Sequence, residues 1–323
     1  MATTADMRYR RLGDSGLVVS VVGLGANNFR ARCSDDDAFA TIDAAIDAGV
    51  TLLDTADIYG NKGGSEELIG EALARNGRRD DVVLATKFGM DMGGPPQEAR
   101  GSRHYVRRAV RASLRRLQVD HIDLYQRHEP DPLTPIEETL AALDELVKEG
   151  VVRYIGSSNL AGWQVVDADW VARTEGRERF ISAQNHYSLL ERDCEAELVP
   201  ACEHLGVGLL PYFPLAHGLL TGKYRRDASP PEGTRLGNDP ARAGRLLTDE
   251  AFDRVDGLTA YAESVGVSLL QLAIGGLAAQ PAVASVIAGA TCPEQVRANA
   301  AAAGWEQTHA DLAEIDAILA QPA

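Results

Sequence analysis

LLDTADIYG, residues 52–60, places a carboxylate, Asp54, and a phenol, Tyr59, five positions apart at the end of an apolar run. Two later apolar runs end on a basic group: DVVLATKF carries Lys87, and HIDLYQ leads to His128. Carboxylate, phenol, ammonium and imidazole together suit proton transfer to an oxygen. A free phenol has a pKa of about 10, too high for efficient donation near neutrality. A neighbouring ammonium favours the phenolate and lowers that value. In this scheme Lys87 activates Tyr59, Asp54 holds Lys87 in place and charged, and His128 orients a carbonyl oxygen or relays a proton. Asp57, inside the same stretch, has no assigned role beyond a solvated or hydrogen-bonded loop position.

Other uses of such residues find little support. The seven histidines include no HxH pair and no HExxH, which disfavours a barrel metallohydrolase, so no metal site is expected. There is no GxSxG nucleophile elbow. Four cysteines, Cys33, Cys194, Cys202 and Cys292, are scattered without a CxxC and read as reduced thiols.

The elements that must position these groups recur regularly. Eight short apolar runs, VSVVGLG, TLLDT, DVVLATKF, HIDLYQ, VRYIGSS, FISAQNH, VGLLPYF and VASVIAGA, alternate with helical patterns. In RHYVRRAVRASLRRL, Val106, Ala109, Val110, Leu114 and Leu117 make one apolar stripe at helical spacing. Thr134 or Asp131 supplies the start of the next helix, and Gly49, Gly77 and Gly150 supply stops. Strands apolar on both faces and separated by helices imply a covered parallel sheet. Eight such units close most economically into a (β/α)8 barrel. A doubly wound sheet is the alternative, but VVGLGANNF has Asn28 where the third glycine of a dinucleotide fingerprint would fall.

Two segments depart from the repeat. YRRLGDSGLVVS, residues 9–20, reads as an N-terminal hairpin around Asp14-Ser15-Gly16. Residues 221–248, rich in Pro, Gly and Arg, form a long loop of the kind that is usually functional or disordered. The 323 residues are expected to form a single domain, with residues 1–6 disordered.

Composition sets the remaining bounds. A net charge of −15 argues against a general nucleic-acid surface, so an anionic ligand needs a local basic pocket. MATTADMRYRR lacks the apolar core of a signal peptide, and no run suggests a membrane span, so a cytoplasmic location is expected. No heptad or interface stripe marks an oligomer, whose state stays open.

Active sites of such barrels form at the carboxyl ends of the strands. In order, those ends carry Asn27 and Asn28, Asp54 and Tyr59, Lys87, His128, Ser158 with Asn159, Gln184 with Asn185, and Tyr212. Any one of them has a plain structural use, Lys87 as a solvated terminus or Gln184 as a satisfied buried amide. Their joint placement at one face is harder to explain that way.

LLDTADIYG, LATKFG, IDLYQRH, YIGSSN, AQNHYSLLER and PLAHGLLTGKY together resemble the aldo-keto reductases, in the bacterial branch that also resembles potassium-channel β-subunits. The likeness runs from about Arg8 to about Ala317. It implies a barrel binding NADPH, or less often NADH, across the carboxyl face, with Asp54, Tyr59, Lys87 and His128 as the catalytic tetrad. Tyr59 would protonate a carbonyl oxygen while the nicotinamide delivers hydride. Ser158, Asn159 and Gln184 would hold the carboxamide, with Tyr212 stacked on the ring. Phe213 and the stretch Leu215, Gly218, Leu219 and Lys223 would follow the pyrophosphate under the long loop. Gly289, Ala290, Thr291, Gln295 and Asn299 would face the adenosine end. The small carbonyl substrate would meet the loops at Asn27, Phe29, Met90, Glu129 and Tyr187.

The sequence departs from the family pattern at Glu129-Pro130, where many relatives have Trp-Pro, and at Phe213, where Ser is common. Glu129 suits a substrate with several hydroxyls or a positive charge. Around the adenosine 2′-phosphate only Arg297 is expected as a nearby cation, although NADPH remains the expected cofactor. The resemblance also admits a regulatory or adaptor subunit that holds the cofactor with little turnover.

Overall fold

The computed structural model describes residues 7–95 and 97–320; the disorder expected over residues 1–6 lies outside them. Among the described residues ten strands are formed: β1 (Tyr9–Arg11), β2 (Val18–Ser20), β3 (Val22–Gly25), β4 (Leu52–Asp54), β5 (Val83–Phe88), β6 (Ile122–Arg127), β7 (Val152–Ser158), β8 (Phe180–Gln184), β9 (Gly208–Leu209) and β10 (Val286–Gly289). The helices are α1 (Asp35–Asp47), α2 (Tyr59–Asn76), α3 (Arg103–Leu117), α4 (Ile136–Lys148), α5 (Gly162–Glu175), α6 (Leu198–Leu205), α7 (Pro240–Leu246), α8 (Asp249–Ser264), α9 (Leu269–Ala279), α10 (Pro293–Ala302) and α11 (His309–Leu319).

Strands β3 to β10 form one parallel sheet in the order β10-β3-β4-β5-β6-β7-β8-β9. The two ends of that list meet. Leu209 N donates to Ala282 O at 2.7 Å, Ala284 N to Leu209 O, and Ile287 N to Pro211 O at 2.9 Å. The sheet is therefore closed, and the fold is a (β/α)8 barrel. β9 is shorter than VGLLPYF promises because Pro211 has no N–H to give the ladder, although its carbonyl still accepts.

Two apolar layers hold the barrel. Between sheet and helices pack Leu24, Leu53, Leu84, Tyr125, Ile155 and many others, all buried. Inside the barrel, Leu52, Ala85, Leu124, Leu210 and Ile287 pack against Leu12 and Val19 of the hairpin, which plugs the amino end. Gly13, at φ +57°, makes that approach possible: a Cβ there would sit 2.5 Å from Gly206 O.

Several boundaries differ from the sequence reading. α4 starts at Pro135 without a side-chain cap. Asp131 is instead occupied with Thr134 Oγ1 at 2.6 Å and Gly101 N at 2.7 Å, tying the loops before α3 and α4 together. The long loop contains α7, opened by Asp239 and Pro240, and α11 is opened by a Thr308/Asp311 capping box. An interface-like stripe also exists: Trp163, Val166 and Trp170 lie on the outer face of α5, with exposures of 61%, 42% and 69%. Among the described residues no single helix is long and apolar enough to cross a membrane.

Candidate active site

At the carboxyl end of the barrel, register sets the polar groups side by side. Asp54 pairs with Ala85 across β4 and β5, Lys87 with Gln126 across β5 and β6, and Ser158 with Gln184 across β7 and β8. Lys87 Nζ donates to Asp54 Oδ2 at 2.6 Å and to Thr55 O at 2.8 Å. The other carboxylate oxygen, Oδ1, accepts from Gln184 Nε2 at 2.9 Å and Gln126 Nε2 at 3.2 Å. Lys87 is 0% exposed. Burial works against its charge, but Asp54 and then Tyr59 outweigh burial, and the ammonium is held above its ordinary pKa.

Tyr59 follows on the turn after β4. Residues 60–63 run at φ values of 63°, 65°, 69° and 117°, a left-handed stretch that includes Asn61 and Lys62, so regular helix starts only beyond Gly63. That detour keeps the Tyr59 ring 5.2 Å from Lys87 Nζ and edge-on to His128, with ring centroids 5.7 Å apart. Burial raises the Tyr59 pKa and outweighs the lowering by Lys87. The expected net lowering is thus corrected. The sign of the lysine's effect stands, but desolvation is larger, and the phenol is neutral at neutral pH. His128 is buried, its Nδ1 has no hydrogen-bond partner, and burial with Lys87 pushes its pKa down to about 3. It is a neutral imidazole.

A cleft of about 710 Å³ opens over these groups. Ser158, Asn159, Gln184, Tyr212, Phe213, Leu215, Gly218, Lys223, Gly289, Thr291, Gln295 and Asn299 all line it, as do Asn27, Met90 and Glu129. Asn159, at φ +59°, donates to His128 O at 2.9 Å and accepts from the Tyr212 hydroxyl at 2.8 Å. Tyr212 stacks on His186 at 5.4 Å. Phe213, Ala216 and His217 also have positive φ, strain that collects along one wall of the cleft.

Four expected contacts lie elsewhere. Phe29 is 0% exposed in the layer beneath α1 and α2, and Tyr187 is buried with its hydroxyl on Glu195 Oε1 at 2.7 Å. Leu219 and Ala290 are likewise buried and do not line the cleft. Phe29, Leu219 and Ala290 each neighbour a lining residue in sequence, and strand or turn geometry turns them the other way. Glu129 is also less free than expected: Arg100 stands 3.8 Å from it and 3.5 Å from Asp91.

The cations of the cleft are not the expected one. Arg297 faces Glu294 at 3.9 Å and does not line it. Arg32, Lys223 and Arg235 do. Arg235 bonds Asn28 Oδ1 at 3.0 Å and Asn27 Oδ1 at 3.2 Å and lies 5.1 Å over the Phe213 ring. Burial, then Arg32 and Arg242, lowers its pKa to about 10, and Lys223 is lowered by burial, Arg32 and Arg235. These cations repel one another, and among the described residues none of the three has a carboxylate at ion-pair distance. Together they form a local basic pocket of the kind an anionic ligand would need on so acidic a chain.

Asp57 is not a solvated loop position. It is buried against Glu66, whose carboxylate is held by Thr86 Oγ1 and Arg116 Nε, both at 2.6 Å. Burial and Glu66 raise the Asp57 pKa from 3.8 to about 8. A raised acid stabilises the fold fully below its ordinary pKa, and that stability is lost as pH rises through about 8. Asp57→Asn is therefore expected to gain thermal midpoint over the natural protein progressively between pH 4 and 8, read by calorimetry. A difference independent of pH would show that Asp57 is ionised in the fold.

An α/β barrel here sets a buried Asp–Lys pair beside a neutral phenol at the floor of one cleft. Comparison with known proteins narrows it. A sequence model of the Aldo/keto reductase family matches residues 21–320. The chain is 38% identical over 297 residues, 91% of this chain and 90% of the relative, to a probable voltage-gated potassium channel subunit beta of Oryza sativa subsp. japonica. It is 38% identical over 301 residues, 90% and 89% of the two chains, to the uncharacterized oxidoreductase YrpG of Bacillus subtilis. With the aldo-keto reductase YhdN of the same bacterium it shares 35% over 318 residues, 97% and 94% of the two chains. The chain belongs to the aldo/keto reductase family.

Proposed function

We propose that this chain is an NADPH-dependent reductase that converts an aldehyde or ketone to an alcohol, its described barrel acting as one domain. The observation that carries the reading is the buried Lys87–Asp54 pair beside a neutral Tyr59 at the floor of the cleft.

The cleft fits a dinucleotide. Asn299 Nδ2 is a buried donor with no partner in a wall of the cleft, and Arg32, Lys223 and Arg235 supply unpaired positive charge. Ser158, Asn159, Gln184 and Tyr212 would hold the nicotinamide end, Leu215 to Lys223 the phosphates, and Gly289, Thr291, Gln295 and Asn299 the adenosine. When bound, the reduced nicotinamide supplies hydride. The protein's own part is proton delivery. Neutral His128 and Tyr59 together grip a carbonyl oxygen, Tyr59 gives up its proton, and the phenolate left behind is stabilised by Lys87. Gln126 and Gln184 hold the Asp54 side chain against Lys87, so the charged ammonium is already in place.

Titration of NADPH and NADH into the purified protein tests the site. NADPH is expected to bind more tightly, and Arg235→Met to weaken NADPH about ten-fold or more by removing a charge-assisted donor. Failure of both coenzymes to bind would remove the reading. A second reading is a regulatory or adaptor subunit that holds the cofactor with little turnover; the rice relative is named a probable channel subunit beta. Carbonyl-dependent oxidation of NADPH at an enzymatic rate would exclude it.

A further inference from the structure

The outer face of α3 breaks the electrostatic pattern of the molecule. In a chain of net charge −15, the 15 residues of α3 contain six arginines and no acid. Arg103, Arg107, Arg111 and Arg115 follow one another four residues apart, about 6 Å between neighbours and about 18 Å end to end. Like charges at that spacing destabilise a helix, and cations in its first turn oppose the dipole. The inner face, Tyr105, Val106, Val110 and Leu117, holds α3 to the barrel regardless.

Neighbouring carboxylates neutralise only the first half of this row. Glu145 pairs with Arg103 at 3.2 Å and with Arg107 at 3.5 Å, while Glu149 also pairs with Arg107 and Glu98 with Arg108. Arg111 and Arg115 are exposed, and among the described residues no carboxylate lies at ion-pair distance from either. These arginines, with His104, line one surface depression that shares no residue with the catalytic cleft. At Arg111 and Arg115 no ion pair offsets the like-charge repulsion along the helix, which is the pattern expected of a binding surface.

We propose that this face of α3 binds a short chain of phosphates, inorganic or nucleotide-borne, with Arg111 and Arg115 as its anchoring forks. Two features select that ligand. Planar guanidinium forks match phosphate oxygens in pairs, and the charges lie along a line. The strongly negative remainder of the protein repels an extended nucleic acid or an anionic membrane at longer range but leaves a short anion free to enter.

Calorimetric titration of tripolyphosphate into the full chain tests this independently of the reductase reading. Two variants are compared with the natural protein, Arg111→Ser/Arg115→Ser and, for the cleft, Lys223→Ser/Arg235→Ser. The α3 variant is expected to lose about ten-fold or more in affinity for the α3 phase, with an unchanged or raised thermal midpoint. The cleft variant should keep that phase. Arg111→Lys/Arg115→Lys, which retains charge without the fork, should fall in between. Adenosine triphosphate used in place of tripolyphosphate separates the sources: equal affinity means that the phosphate chain alone is recognised, and tighter binding means that the nucleoside adds to it. Loss of all binding in the cleft variant alone would overturn the proposal. So would an α3 variant that binds as the natural protein does, or an oligoglutamate peptide that binds more tightly than tripolyphosphate.

Discussion

Tyr59→Phe is expected to lower carbonyl reduction by about 10²–10⁴-fold, the range a positioned general acid contributes. Phenylalanine keeps the ring that lies edge-on to His128, and only the hydroxyl is removed. Coenzyme affinity and thermal midpoint should therefore stay close to those of the natural protein. The two readouts separate chemistry from binding. A variant that bound coenzyme normally and still reduced an aldehyde at the natural rate would assign the proton to another group. His128 is not a substitute acid at neutral pH, since burial and Lys87 push its pKa down to about 3.

The second large effect is expected at Lys87. Lys87→Met leaves Asp54 buried, with only the amides of Gln126 and Gln184 on its other oxygen. Breaking a buried pair on one side costs roughly 3–5 kcal/mol, because the remaining charge is uncompensated. Turnover should fall at least as far as in Tyr59→Phe, since the developing phenolate loses its counter-charge. Lys87→Met/Asp54→Asn should recover most of the stability and none of the turnover, a non-additivity that chemical denaturation measures directly. Equal stability of the single and double variants would mean that Asp54 is not charged in the fold.

The eight strands were legible because each is apolar on both faces and is followed by a helix, and their ends placed Asp54, Lys87 and His128 at one level. What could not be read has identifiable causes. Desolvation is set by the finished fold, so the sign of the Tyr59 shift was missed although its lysine partner was found. Arg235 reaches Asn27 and Asn28 across 208 and 207 residues from a loop with no periodicity, and nothing local marks it as part of the site. Phe29 stands next to the cleft residue Asn28, and the local turn decides which neighbour faces in, while Tyr187 turns its hydroxyl to Glu195. α11 carried a readable signal in Thr308 and Asp311, three apart before an apolar pattern. Asp57 looked like an ordinary loop acid, because Glu66 and Arg116 come beside it only when α2 and α3 pack.

The most direct measurement is a single turnover: the protein is mixed with NADPH, an aldehyde is added, and the loss of reduced-nicotinamide absorbance is followed for the natural chain and for Tyr59→Phe. Rapid loss in the first and loss slowed by about a hundred-fold or more in the second would establish hydride transfer coupled to the Tyr59 proton. Equal rates, or no oxidation in either, would contradict it.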